Sequence, residues 1–266
     1  MYALAVIPLI NKLQDLHGNT RQVWFADDAT AVSTCQRLRP WWDELVARGP
    51  SFGYYPKASK TFLVVKEEYA EEAERAFADT SVSITTQGKR HLGAAVGSMA
   101  FRDEFVSGKV KSWCKEVELL SQAALSHPHA AFAAYIHGQA SKWTYISRTI
   151  PGIGHLLEPL EQVIQEKFIP AITGRPSCSK IERSLLALPA RMGGLGLTIP
   201  SADAEHCYEA SSKITAPITA MIALQGKDPM SASLESKAIK SSVRNAKRDN
   251  QRAEAEAIFN ELPPPQ

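Results

Sequence analysis

Two carboxylates stand side by side at Asp27 and Asp28, inside the run Val23-Trp24-Phe25-Ala26-Asp27-Asp28-Ala29-Thr30-Ala31-Val32. Adjacent like charges repel, and aspartate is disfavoured in strands. A divalent cation relieves that repulsion, since Mg²⁺ takes oxygen ligands from one or two carboxylates and completes its shell with water and substrate phosphates. Two such ions can stabilise both the attacking and the leaving oxygens of a phosphoryl transfer. The plainer reading is an ordinary turn, because Asp is a common turn residue. The apolar flanks weigh against it: a turn that projects from a packed sheet holds both carboxylates at one tip.

The flanks also predict how the pair is held. Residues 21–34 read as a β-hairpin, with Val23-Trp24-Phe25 and Thr30-Ala31-Val32 as strands and residues 26–29 as a tight turn. A helix should follow from Gln36 to Arg48, with Leu38, Trp41, Trp42 and Leu45 on one face and Gly49-Pro50 as its stop. Residues 52–56 form a loop, 61–65 a short apolar strand, 67–78 an acidic surface helix and 82–85 a half-buried strand. His91-Leu92-Gly93 opens another turn.

After Phe101 the strand signals cease. Phe105, Val106, Val110, Trp113, Val117 and Leu120 recur at helical steps. Further helices are expected over about 129–147, 156–168 and 179–188, with one or two over 204–225. A polar helix from Ser231 to Leu262 precedes Pro263-Pro264-Pro265. Strands and helices mix without a regular βαβ period, so the fold class is α+β. The expected divisions are 1–100, 101–200 and a basic, partly flexible helical tail over 201–266.

Composition excludes several classes. The chain has 266 residues, with 30 Lys+Arg against 28 Asp+Glu for a net +2, 44% apolar and 22% charged residues. That usage excludes collagen, a coiled-coil rod and a wholly disordered chain. Four scattered cysteines form no disulfide scaffold or zinc ribbon, and without a secretory signal they read as reduced intracellular thiols. His127 with His129, and His206 with Cys207, lack third and fourth ligands nearby, so neither pair reads as a metal site. The apolar start, residues 1–10, is too short to span a bilayer and lacks a cleavage site, so no membrane partner is expected. It reads as a helix apolar on every face. A buried helix at the first residue predicts a natural domain that begins upstream.

Two basic stretches qualify as nucleic-acid surfaces. Ser141-Lys142-Trp143-Thr144-Tyr145-Ile146-Ser147-Arg148 mixes cations for phosphates with rings for bases; its alternative is a half-buried helix with Trp143 and Tyr145 in the core. Residues 237–252 carry six Lys/Arg and one Asp, so 6 − 1 = +5, with a weak stripe at Ile239, Val243 and Ala246. They read either as a grip on a phosphate backbone or as a solvated charged helix. Gly152-Ile153-Gly154 lacks the third glycine of a dinucleotide loop and reads as a helix connection. Gly193-Gly194-Leu195-Gly196 reads as a turn where backbone meets backbone closely.

Several motifs, taken in order, resemble a family. Phe25-Ala26-Asp27-Asp28 resembles the aromatic-x-Asp-Asp signature of reverse transcriptases, in the form common in non-LTR retrotransposons. Met1 to Leu13 is similar to the helix after that family's Gln-Gly motif. Gly53 to Thr61 is similar to the loop bearing its Asn-x-x-Lys-Thr pattern, with Lys57 in the Asn position. His91-Leu92-Gly93 resembles the primer-grip turn, and Leu188-Pro189-Ala190-Arg191-Met192-Gly193-Gly194-Leu195-Gly196-Leu197 a segment found after the thumb. The resemblance covers roughly residues 1–200.

The resemblance implies a partial right-hand palm, then a helical thumb and tail. It implies Asp27 and Asp28 as ligands of Mg²⁺ (or Mn²⁺), Lys60 beside the incoming deoxynucleoside triphosphate, and Leu92 and Gly93 against the primer end. Lys142, Trp143 and Arg148 would touch an RNA template and DNA primer. The family's first catalytic Asp and its Gln-Gly motif lie before the position of Met1. The expectation is therefore that this chain alone does not polymerise and that an N-terminal polymerase segment is missing. A non-catalytic nucleic-acid-binding remnant of a retroelement is the alternative, and an unrelated helical interaction protein a third reading.

Overall fold

A computed structural model describes residues 2–226 and 228–261; Met1, Lys227 and 262–266, which include the expected helix end at Leu262 and the three closing prolines, lie outside the described residues. The chain is α+β, mainly helical, with three two-stranded sheets among the described residues. It divides into two units: Met1–His91 with Val96–Phe101 and Ala216–Glu235, and Leu92–Ala95 with Arg102–Thr215 and Ser236–Gln266. No helix among the described residues is long and apolar enough to cross a membrane.

In the first unit, α1 (Tyr2–Ala5) and α2 (Ile7–Leu16) replace the single expected helix. Only one face is buried, at Val6, Leu9 and Leu13, while Leu4, Ile7 and Leu16 are exposed. The expectation of burial on every face is corrected: α2 packs on α3 and the turn that follows it through one face, and its far side stays exposed.

The expected hairpin forms from β1 (Arg21–Phe25) and β2 (Asp28–Val32), in register from Arg21↔Val32 to Phe25↔Asp28. Strand alternation sends Gln22, Trp24, Ala29 and Ala31 towards the core and leaves Val23, Phe25 and Val32 exposed. Buried Gln22 accepts from Trp24 Nε1 and Trp41 Nε1 at 3.2 and 3.3 Å and donates to the Ile10 carbonyl at 2.9 Å. Its amide is thereby satisfied, as burial requires.

Helix α3 (Cys35–Arg48) buries Trp41, Trp42 and Leu45 as its periodicity predicts. Next come β3 (Phe62–Val64), α4 (Ala70–Phe77) and β4 (Ser83–Thr85), with β3 and β4 parallel. The strand, helix and strand expected over 61–65, 67–78 and 82–85 are all present; their parallel pairing was not read, because it depends on how the connecting helix packs. Arg39 joins α3 to the end of α4, donating to the Ala76 carbonyl at 2.8 Å and pairing with Asp43 and Asp79. Then β5 (Gly88–His91) pairs with β6 (Ala94–Gly97) across a two-residue turn.

Helix α5 (Met99–Ala124) leads into the second unit, its start capped by Ser98 Oγ accepting from the Phe101 N–H at 3.2 Å. The two expected helices of this region are each widened by a π-turn. One runs α6 (Pro128–Ala134), π-turn Tyr135–Gln139, α7 (Ala140–Thr149); the other α8 (Glu158–Val163), π-turn Ile164–Phe168, α9 (Ile169–Thr173). Tyr135 and Phe168 from the two π-turns stack at 4.6 Å, and Trp113 meets Trp143 edge-on at 6.0 Å. Around them gather Val106, Val110, Val117, Ile150, Leu157, Leu160 and Ile164, all nearly or fully buried.

Helix α10 (Lys180–Ala187) opens with a Ser179–Glu182 capping box. Its Arg183 is buried, bound to both oxygens of Glu161 at 2.6 and 2.8 Å and to the carbonyls of Leu197 and Thr198. Arg183 therefore fastens the glycine-rich segment to α8. At Gly194 an added Cβ would lie 2.0 Å from the Leu188 carbonyl oxygen, so the backbone approach expected there is present and only glycine permits it. Helix α11 (Pro200–Ala223) begins with proline at N1, and α12 (Pro229–Glu261) is capped by Asp228 accepting from the Ser231 N–H at 3.0 Å. The stripe read at Ile239, Val243 and Ala246 is not the buried one. Ala255 and Ile258 of α12 pack instead on Leu188, Ile181, Leu185 and Met192.

Candidate functional site

The hairpin turn is shorter than the sequence suggests. Phe25 pairs with Asp28, so only Ala26 and Asp27 turn the chain, and Asp28 is a strand residue. Ala26 takes φ 54, a left-handed value that a Cβ makes costly. Positive φ at the first central residue suits a right-handed strand twist, as in type II′ hairpins. Such outliers persist where the surroundings over-determine them, and they cluster at functional tips.

The surroundings here are Trp24 and Tyr54. Their rings meet edge-on at 5.1 Å, and the Tyr54 hydroxyl donates to the Asp27 carbonyl at 3.2 Å. Tyr54 follows Gly53, whose φ of 73 ends the short helical turn after α3 and swings the chain back towards the hairpin. The 53–61 loop and the acidic turn, separate motifs in sequence, are thus in contact. Lys57, just before the short turn Ala58–Lys60, and Lys60 within it are both exposed.

Asp27 and Asp28 are both exposed. No group of three metal-ligating side chains forms among the described residues, so the two carboxylates have no third protein ligand. The donor set nevertheless fits Mg²⁺, which needs few carboxylates when water and phosphate complete the octahedron. The outer edge of β1 beside them is covered. The Gln225 side-chain amide donates to the Gln22 carbonyl at 3.1 Å and accepts from its N–H at 3.4 Å, standing in for a neighbouring strand.

His91 ties β5 to the same hairpin through a 3.2 Å hydrogen bond between its Nε2 and Thr30 Oγ1. The next two residues, Leu92 and Gly93, have φ of 46 and 86, both positive as a type I′ turn demands. Leucine is a costly choice at such a tip, and its side chain is 47% exposed. Tyr145 of α7 holds this turn: its hydroxyl donates to the Leu92 carbonyl, and its ring lies 3.3 Å from where a Gly93 Cβ would stand. Thus the primer-grip-like turn and the 141–148 segment meet. Tyr54, His91 and Tyr145 are positioning residues. Tyr54 and His91 lay in turn-forming stretches, and Tyr145 in the expected helix of the 141–148 segment.

The 141–148 segment divides by helix face. Trp143 is 2% exposed, packed against Trp113 and Tyr135. The expected base-stacking role of Trp143 is therefore corrected, since a buried ring presents no face to a base. Lys142 pairs with Glu116, whose carboxyl it holds below the usual carboxylate range. Arg148 is exposed on α7. It and Lys247 of α12 both act electrostatically on the half-buried Cys207 thiol, which burial pushes up and these cations pull down. No family model, curated protein or solved structure matches this chain.

Proposed function

We propose that this chain is part of an RNA-directed DNA polymerase of non-LTR retrotransposon type. The observation that carries the reading is the acidic tip. Two exposed carboxylates stand at the hairpin tip, Asp27 in the strained turn and Asp28 opening β2, and the loop that carries the Lys-Thr motif reaches that turn through Tyr54. Asp27 and Asp28 would hold Mg²⁺ or Mn²⁺, which when bound supplies charge stabilisation to phosphoryl oxygens. Lys60 offers a cation to an incoming triphosphate. Leu92 and Gly93, fixed by Tyr145, orient a primer end. The partners are an RNA template, a DNA primer and deoxynucleoside triphosphates.

Two carboxylates without a third ligand make half a two-metal site, so polymerisation by these residues alone is not expected. Titration with Mn²⁺ tests the half-site. Saturable binding that disappears in Asp27→Ala supports it; binding unaffected by Asp27→Ala and Asp28→Ala sinks it. Primer extension by this chain, abolished by Asp27→Ala, would overturn the inactivity.

A second reading, a non-catalytic nucleic-acid-binding remnant, is favoured by the exposed cations of α12. It predicts oligonucleotide binding without any metal and no specific Mn²⁺ site.

A further inference from the structure

The second unit holds a cleft of about 570 Å³ between the turn after α10 and the end of α12. Its walls are Arg191, Met192 and Gly193 on one side and Arg252, Ala255, Glu256 and Phe259 on the other. None of these residues belongs to the acidic tip or the primer-grip-like turn. We propose that this cleft, with the cationic face of α12 that leads into it, binds single-stranded nucleic acid, seating one base on Phe259 and its flanking phosphates on Arg191 and Arg252.

The first support is an exposed aromatic ring set against a flat glycine turn. Phe259 is 50% exposed, although its neighbours Ala255 and Ile258 are buried against α10. Its ring tip lies 3.7 Å from where a Gly193 Cβ would be. Gly193 takes φ 83, so the turn runs flat beneath the ring and adds no side chain over it. A base has a π-face whatever its identity, and an exposed ring beside cations is the usual platform for it.

The second support is the charge. Arg191 is anchored by donating to Gln251 Oε1 at 2.7 Å, which steadies it at the cleft. From Arg252, the cations Arg248, Arg244 and Lys240 follow at four-residue steps, so they lie on one face of α12, and all are exposed. No ion pair engages these four among the described residues. Twelve residues of helix span about 18 Å, with one cation about every 6 Å, a spacing that can follow successive phosphates of an extended strand. Glu256 is the opposing charge at the cleft. It lies one step past Arg252 and marks the end of the cationic run.

A purely ionic partner such as polyphosphate would meet the same cations but leave Phe259 unused. Single-stranded nucleic acid uses both features, which is why the proposal commits to it. It rests on nucleic acid as partner, as both functional readings do, but on no metal. Its failure and that of the Asp27–Asp28 site are therefore separable.

The test is fluorescence anisotropy of a labelled single-stranded twelve-nucleotide oligomer with the whole chain, in EDTA. The double variant Arg248→Glu, Arg252→Glu should weaken binding at least tenfold. It should also lower the salt slope by about 1.4, two contacts at about 0.7 each. Phe259→Ala should weaken the oligomer about tenfold and leave inorganic polyphosphate of equal charge unaffected, with Phe259→Trp restoring it. Circular dichroism checks folding; if Phe259→Ala unravels the helix end, the two exposed arginines still carry the test. Unchanged oligomer affinity in the double variant overturns the proposal. So does an equal loss on both probes in folded Phe259→Ala, or anionic phosphatidylserine vesicles that outcompete the oligomer.

Discussion

The two units place their polar groups differently. In the first, the carboxylates at Asp27 and Asp28 and the apolar outer face of Val23, Phe25 and Val32 are open to solvent. In the second, the least exposed ion pair among the described residues, Arg183 with Glu161, bridges three segments. One unit exposes groups that can act on a ligand; the other uses its charges to hold the fold, leaving function to cations on one helix face. A charge kept exposed avoids desolvation and remains available, whereas a buried one must be fully partnered. The stability cost of a substitution should therefore separate structural from ligand-facing charges.

The largest effect should come from Arg183→Ala. Removing one member of a buried pair strands Glu161 and two carbonyls, for a loss of about 3–5 kcal/mol. Hydrogen exchange should report the loss over residues 102–215 and leave the β1–β2 hairpin protected. A loss spread evenly over both units would break the comparison. A smaller effect, of opposite sign, is expected from Tyr135→Phe. The Tyr135 hydroxyl is buried with no hydrogen-bond partner among the described residues, and burial pushes its pKa well above the ordinary phenol value. Removing an unsatisfied hydroxyl should raise the urea midpoint, a gain of about 1 kcal/mol. A lowered midpoint would show that the hydroxyl is bound in solution.

Asp203 sharpens the contrast through pH. Burial raises its pKa, more than Lys247, the Ile199 backbone, His206 and Arg183 lower it. A raised folded pKa favours the protonated form, so the stabilising contribution is complete below the unfolded value and is lost as pH rises through the folded one. Asp203→Asn should thus stabilise the second unit at neutral pH, with the difference vanishing under acid conditions. Urea midpoints at the two pH values measure this; a difference independent of pH would contradict it. The smallest stability effect belongs to Asp28→Asn, within about 0.5 kcal/mol because the carboxylate is exposed. The same variant should lose Mn²⁺ binding. A large loss of stability would mean that Asp28 serves the fold rather than a ligand.

Local signals carried much of the architecture. The Trp41-Trp42-Leu45 face, the α5 stripe, the acidic hairpin and the capping-box helix after Ser179 are each encoded within a few residues. The parallel pairing of β3 with β4 was not legible, since it depends on how the connecting helix packs. The π-turns were equally hidden, because one inserted residue leaves an apolar stripe nearly intact. At the site, Asp27 and Asp28 stood out by residue type, while Leu92 and Gly93 were drawn in only by the resemblance. Trp143 was ambiguous because a helix with both rings and cations does not say which face is buried. Tyr145 was read only as a ring of the 141–148 segment, and Tyr54 and Phe259 gave no sign of their contacts, since an aromatic side chain is equally at home in a core.

The sequence alone determined the α+β class, the acidic hairpin, the helical character after residue 101 and the basic run at 237–252. These follow from propensity, periodicity and charge, which act over short stretches of chain. Only the tertiary structure decided which side chains meet. It set Tyr54 on the Asp27 turn and Tyr145 on the Leu92 turn, buried Trp143, and put Phe259 beside Arg191, 68 residues earlier in the chain. The reason is physical: contacts between distant residues depend on how helices and strands pack to exclude water, and no local pattern encodes that.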